Sequence, residues 1–190
     1  LHQYKGLTMV ISGTSYSGTA KVLHWTILVL LIAQFVFAWT MPDIGRNTPI
    51  TTLISLHFTF GVIILAVAVV RLLWRLTHGE PAPLDGIPPW QTLSARIVHW
   101  LLYLLLFVVP LLGWINASYR GMPVVMFGLE LPKLLATRAP GWGWTGDVHG
   151  LLANYVMLGL VGLHVAAALY HYFVRHDGVL QRMLPDHSAG

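Results

Sequence analysis

The stretch Val148–Val174, VHGLLANYVMLGLVGLHVAAALYHYFV, is an apolar run of about 27 residues that nevertheless carries His149, His164 and His171. A run of that length crosses the hydrocarbon of a bilayer as one helix. Imidazole is poorly tolerated in hydrocarbon, so histidines within a span mark functional positions and face the interior of a bundle. His149 and His164 are fifteen residues apart, which offsets them by about 60° around a helix and by about 22 Å along it. One helix thus presents an imidazole on roughly the same face near each side of a bilayer. That predicts two stacked sites, each completed by a neighbouring helix.

The rest of the chain belongs to the same class. Of its 190 residues 56% are hydrophobic and only 9% charged, the composition of a membrane protein whose first partner is the lipid bilayer. There is no cysteine, which excludes disulfides, cysteine-held iron–sulfur clusters and thioether-attached haem. Any redox cofactor needs other ligands, and ten histidines are the supply. The net charge of +4 comes without a basic run, so a nucleic-acid partner is not expected.

Residues 1–20 mix Gly, Ser and Thr without periodicity and read as an extramembrane segment, with Met9 a candidate natural start. A four-helix domain follows over residues 21–176, with spans near 22–41, 51–74, 97–115 and 148–174, and residues 177–190 form a polar tail. The first span competes with a signal peptide, but it exceeds a typical signal core and no small-x-small cleavage site follows it. Gly61 in the second span permits close approach of a backbone or a flat cofactor. Pro110 and Gly113 fall near the far end of the third, where a kink is tolerated. The proline-rich THGEPAPLDGIPPW is a loop. Residues 117–146 form a longer loop, with a short interfacial helix expected around Leu131–Ala136. The expected fold is an all-α, up-and-down transmembrane four-helix bundle.

Lys5, Lys21, Arg71, Arg75, Arg96, Arg175 and Arg182 lie on the side of both termini, against Arg46, Arg120, Lys133 and Arg138 on the other. That bias favours both termini on the inner, cytoplasmic side of a multi-pass membrane protein. Alternating helix direction then fixes depth. His24 lies towards the inner face and His57 towards the outer, with His149 outer and His164 inner. The natural pairs are His57 with His149 and His24 with His164, though by depth alone His171 also matches His24. Two six-coordinate b-type haems fit this arrangement, each iron taking two neutral imidazoles. Taken singly, each histidine is equally well read as hydrogen-bonded between helices or lining a proton path. The depth-matched set favours haem, and a cofactor-free transporter or scaffold is the remaining alternative.

Haem propionates call for charge-assisted partners, and Arg71, Arg46 and Arg120 are the candidates. Positive-inside anchoring accounts equally well for Arg71 and better for Arg75. For a quinone headgroup near the inner haem the candidates are His99, His171, Tyr172 and Lys21. His99 beside Trp100 reads equally as an interfacial residue.

The segments LHWTILVL, LISLHFTFGVIIL, VRLLWRL, HWLLYLLLFVVPLLGW, YRGMPVVMFGLELP and VHGLLANYVMLGLVGLHVAAALYHYF occur in this order, and the terminal HDGVLQRMLP follows them. Together they resemble the bacterial di-haem cytochrome b561 family, whose best-described activity is that of superoxide oxidase. The resemblance implies His24 with His164 and His57 with His149 as axial ligands, which settles the place of His171. It also implies four helices, two haem b groups and ubiquinone as acceptor, in a superoxide:ubiquinone oxidoreductase. In this reading the outer-face donor is superoxide. The alternative is a non-enzymatic haem-bearing anchor that exchanges electrons with a periplasmic redox protein.

Overall fold

The computed structural model describes residues 15–45 and 48–185. Four long helices follow one another in alternating directions: α1 Gly18–Thr40, α2 Thr52–His78, α3 Pro89–Arg120 and α4 Thr145–Arg175. The end holding the start of α1 and the end of α4 is called the terminal face, and the opposite end the loop face. All four helices are long and apolar enough to cross a membrane, and they form a transmembrane bundle.

Local chemistry sets the ends. The Ser17 hydroxyl accepts the Ala20 N–H at 3.3 Å to open α1, and Thr51 accepts the Ile54 N–H at 3.4 Å to open α2. Pro89 opens α3, where a missing N–H costs nothing. Gly121, at φ +74°, closes it in the left-handed conformation a glycine adopts freely. The third span expected at 97–115 is therefore too short. Pro88 and Pro89 start the helix rather than belonging to the loop before it.

The helices are not evenly packed. α1 lies along α2, α2 along α3, and α3 along α4, whereas α4 makes no comparable contact with α1 or α2. A core of Ile27, Ile64, Ala68, Leu105, Leu106, Val109 and Met157 fills the middle of the bundle. The outward surface is apolar: α1 alone exposes Val22, Val29, Ile32, Val36 and Trp39. In water that stripe would be a liability, but in a bilayer it is the solvated face.

Two further findings correct the sequence reading. No helix forms around Leu131–Ala136. The loop instead makes a hairpin, β1 Val125–Met126 paired antiparallel with β2 Leu129–Glu130. The segment after α4 is not a free tail. Up to residue 185 it crosses the terminal face, with the Trp25 indole donating to the Met183 carbonyl at 2.9 Å. Arg182 donates to the Ala82 carbonyl at 2.8 Å on the same face.

α4 is also not uniform. Leu152–Met157 and His171–Arg175 are wide π-helical turns. A wide turn absorbs about one residue, so His149 and His164 are offset by about 40° in the sense opposite to that expected of a regular helix. They still share a face. Within the first wide turn Asn154 donates to the Gly150 carbonyl at 3.0 Å and accepts the Trp39 indole N–H at 3.0 Å.

Candidate functional site

Near the loop face His57 of α2 meets His149 of α4, with ring centroids 6.0 Å apart. His149 Nδ1 lies 2.9 Å from the Val109 carbonyl. A carbonyl only accepts, so Nδ1 carries the proton and Nε2 keeps its lone pair. Pro110 and Gly113 shape the notch that makes this possible. A Cβ on Gly113 would stand 2.9 Å from His149 Cε1 and 3.2 Å from Nδ1. Only glycine leaves room for the ring.

Opposite, Gln34 Nε2 approaches His57 Nε2 at 3.4 Å, while His57 Nδ1 and Gln34 Oε1 are buried without a protein partner. Buried polar atoms of this kind call for a bound group or for rearrangement when one binds. Space flanks the pair on both sides. One cavity of about 250 Å³ opens past Asn116 and Arg120 to a rim holding Asp43 and Asp147. Another of about 190 Å³ is walled by Leu31, Phe35, Ala153 and Met157 and reaches Trp39 and Asn154. The Arg120 guanidinium is already oriented, donating to the Ile44 carbonyl at 2.9 Å and to Asn116 Oδ1 at 3.3 Å.

Towards the terminal face His24 of α1 meets His164 of α4 at 6.1 Å between centroids. His99 of α3 lies 5.2 Å from His164 on another side. Arg71 donates to the Ala20 carbonyl at 2.9 Å, lies over the Tyr103 ring, and is close enough for its charge to act on His24, His99 and His164. Trp25 packs edge-on against His24.

The other candidates are more scattered. His171 Nδ1 bonds Asp177 Oδ2 at 2.6 Å instead of reaching His24. Burial raises the Asp177 carboxyl, but hydrogen bonds from His171 and the Val179 N–H, with the Arg175 charge, outweigh it and hold it below the usual carboxylate range. Tyr172 is exposed and packs on Phe173. Lys21 is buried one turn before His24. Arg46 lies outside the described residues. Sequence reasoning missed Gln34, Asn116 and the Val109 carbonyl. Of these only Gln34, an amide inside an apolar span, carried a readable signal.

The donor set can be tested against haem. Among the described residues no group of three or more His, Cys, Asp or Glu is placed to hold a bare metal ion. Each imidazole pair offers two ligands, so the remaining positions must come from the bound group itself, as a tetrapyrrole supplies them. A metal held between two imidazoles at about 2 Å from each nitrogen puts the ring centroids about 6 Å apart. Both pairs match that span, and each bridges helices that make few other contacts. The larger cavity has cationic and amide groups at one end and the smaller is apolar, the two surfaces an amphipathic macrocycle needs. The residues fit haem.

Comparison with known proteins agrees. A family model described as prokaryotic cytochrome b561 matches residues 15–186. The chain is 29% identical to cytochrome b561 homolog 2 of Escherichia coli K12, over 92% of this chain and 93% of that protein. It is 30% identical to the probable superoxide oxidase CybB of Yersinia pestis, over 90% and 96% respectively. It is also 30% identical to cytochrome b562 of Cereibacter sphaeroides, over 89% and 94%. The chain belongs to the prokaryotic cytochrome b561 family, multi-pass bacterial membrane proteins that carry b-type haem and transfer electrons.

Proposed function

We propose that the protein is an inner-membrane di-haem cytochrome that takes electrons from a donor at the loop face and delivers them to quinone near the terminal face. In its most specific form it oxidises superoxide and reduces ubiquinone. Two superoxide anions each lose one electron and leave as dioxygen. One quinone gains those two electrons and two protons and leaves as quinol. The observation that carries this reading is the pair of imidazole couples, 6.0 and 6.1 Å across, at opposite ends of the bundle.

Bound haem supplies one-electron chemistry at each end, and the protein sets ligation and surroundings. His57 and His149 hold one group, His24 and His164 the other. The Val109 carbonyl fixes the His149 tautomer. Arg120 near the loop face and Arg71 near the terminal face would be the charge-assisted partners of the propionates, and Arg46, outside the described residues, is a further candidate. At the terminal face His99, Lys21 and Tyr172 are the candidate contacts for a quinone headgroup. His171 is also a candidate there, its ring oriented by the 2.6 Å contact of Nδ1 with Asp177. Lys21, Arg71, Arg75, Arg96, Arg175 and Arg182 on that face support a cytoplasmic placement of both termini.

A second reading, an electron conduit for a periplasmic redox protein, is favoured by the rim of the larger cavity. Asp43 and Asp147 are both exposed there and suit a cationic partner better than a small anion.

The test is the reduced-minus-oxidised spectrum with pyridine-haemochrome stoichiometry, on wild type, His57→Ala and His164→Ala. The expected result is two b-haems per chain in wild type and one in each variant. No haem, or one haem insensitive to both changes, refutes the assignment. Quinone reduction by superoxide without a partner protein then separates the two readings of the donor.

A further inference from the structure

We propose that the β1–β2 hairpin is a membrane-interface anchor, with Phe127 and Leu129 seated among lipid headgroups and upper acyl chains. Phe127 is 84% exposed and Leu129 72%. Phe127 also has φ +51° and is followed by Gly128 at φ +81°. Two successive positive-φ positions make a turn that suits Asn-Gly, not a bulky ring. The residue thus bears both a conformational cost and the cost of an apolar ring facing outwards. An apolar medium beyond the chain removes the second and can offset the first.

The depth of the hairpin identifies that medium. Thr59 Oγ1 donates to the Val125 carbonyl at 2.9 Å. Thr59 is the eighth residue of α2, about 10 Å below the start of that helix. α2 has 27 residues, about 40 Å, and a hydrocarbon layer of about 30 Å centred on it begins about 5 Å from its end. The first strand is therefore held at the edge of the hydrocarbon, not above the membrane. Trp39, at the loop-face end of α1, is 61% exposed, as expected of an aromatic at headgroup level.

The hairpin is also fixed in place. Its base residues Met122 and Val124 are buried with Ala117, and the Leu134 N–H donates to Ser118 Oγ at 3.1 Å. Val124 lines the cavity beside His57, so the lipid-seated hairpin holds one wall of that cavity. This part of the loop is a membrane contact, and a soluble donor must approach by the rim at Asp43, Arg120 and Asp147.

The absence of cysteine allows a single nitroxide label at Phe127→Cys in bilayers of phosphatidylethanolamine and phosphatidylglycerol. Leu129→Cys, which keeps the phenyl ring, guards against loss of the anchor by the substitution itself. Collision of each label with dioxygen and with a water-soluble nickel chelate reads its surroundings. The expected result is high oxygen and low nickel accessibility at both sites, resembling lipid-facing Val36→Cys and unlike exposed Lys133→Cys. Nickel accessibility matching Lys133→Cys at both sites overturns the proposal in favour of water. Shielding from both reagents with dipolar broadening between labels overturns it in favour of a second copy of the chain. None of these outcomes depends on haem content or activity.

Discussion

Gly113→Ala tests the loop-face site through a residue that is not itself a ligand. An added methyl would lie 2.9 Å from His149 Cε1, so the ring must retreat by about 0.5 Å to reach the closest ordinary contact, near 3.4 Å. The same movement stretches the 2.9 Å bond from Nδ1 to the Val109 carbonyl towards the limit of a hydrogen bond. Loss of such a bond costs about 1 kcal/mol, and loss of the partner that orients a metal-binding histidine typically lowers affinity about 10–100-fold. On the proposed two-haem assignment, the expected outcome is loss of the loop-face haem on dilution in detergent, with the terminal-face haem retained, read as a fall in haem per chain from two towards one. Alanine is the better helix former by about 1 kcal/mol, so helix propensity cannot produce the loss. Gly162→Ala is the control, because a methyl there meets nothing within 4 Å. Full haem retention and unchanged spectra in Gly113→Ala would refute the role given to this notch.

Trp25→Phe keeps a ring against His24 but removes the 2.9 Å bond to the Met183 carbonyl. The strap after α4 should loosen, admit water and stabilise the extra positive charge on the oxidised iron centre, lowering the terminal-face potential while the loop-face potential stays put in a redox titration. Asp177→Asn removes the carboxylate that His171 and the Val179 N–H stabilise. Because the folded-state pKa is depressed, the stabilisation is present above the unfolded value near 3.8 and lost as pH falls through the lower folded value. Thermal melts should therefore separate wild type from Asp177→Asn at pH 5 and 7 and converge at the acid end, and a pH-independent gap would contradict this. Protein made without haem should melt lower than holoprotein, since a ligand bound only by the native state at about 1,000 times its Kd adds about 4 kcal/mol. Equal melting temperatures would show that the histidine pairs do not use haem as part of the core.

The four spans and the depth-matched histidines were legible because both depend on local quantities, apolar length and position along a helix. The notch at Pro110 and Gly113 was not, since its meaning depends on which side chain of α4 faces it. The wide turn at Leu152–Met157 escaped because its sequence, LANYVM, is ordinary for a helix, and the shift in phase it causes left the two imidazoles on one face. LPKLLA after residue 130 has helical composition and still forms no helix. The Leu134 N–H goes to Ser118 Oγ, and the Arg138 N–H to the Tyr119 carbonyl at 2.9 Å. Tertiary bonds from the end of α3 outweighed propensity. The polar residues after Arg175 suggested solvation, yet Val179, Leu180, Met183 and Leu184 are half-buried in the strap.

The uneven packing of the bundle links these details. A helix joins its neighbours in a membrane through close van der Waals contact and hydrogen bonds, because lipid offers no hydrophobic drive between helices. α4 has such contact with α3 alone. Towards α1 and α2 it presents His149 and His164, with ring centroids about 6 Å from those of His57 and His24, a hydrogen bond at Trp39–Asn154 and Met157 in the shared core. Drawing α4 inward to close that gap would place four imidazoles and the Gln34 amide against one another in hydrocarbon with few partners, at the cost of desolvating each. A flat, largely apolar group such as haem would resolve this: His57 with His149 and His24 with His164 would hold it, and the protein would keep the other ring nitrogen, as the Val109 carbonyl already does for His149. On the proposed ligation the gap is a cofactor site, and the bundle would be complete only with the cofactors bound.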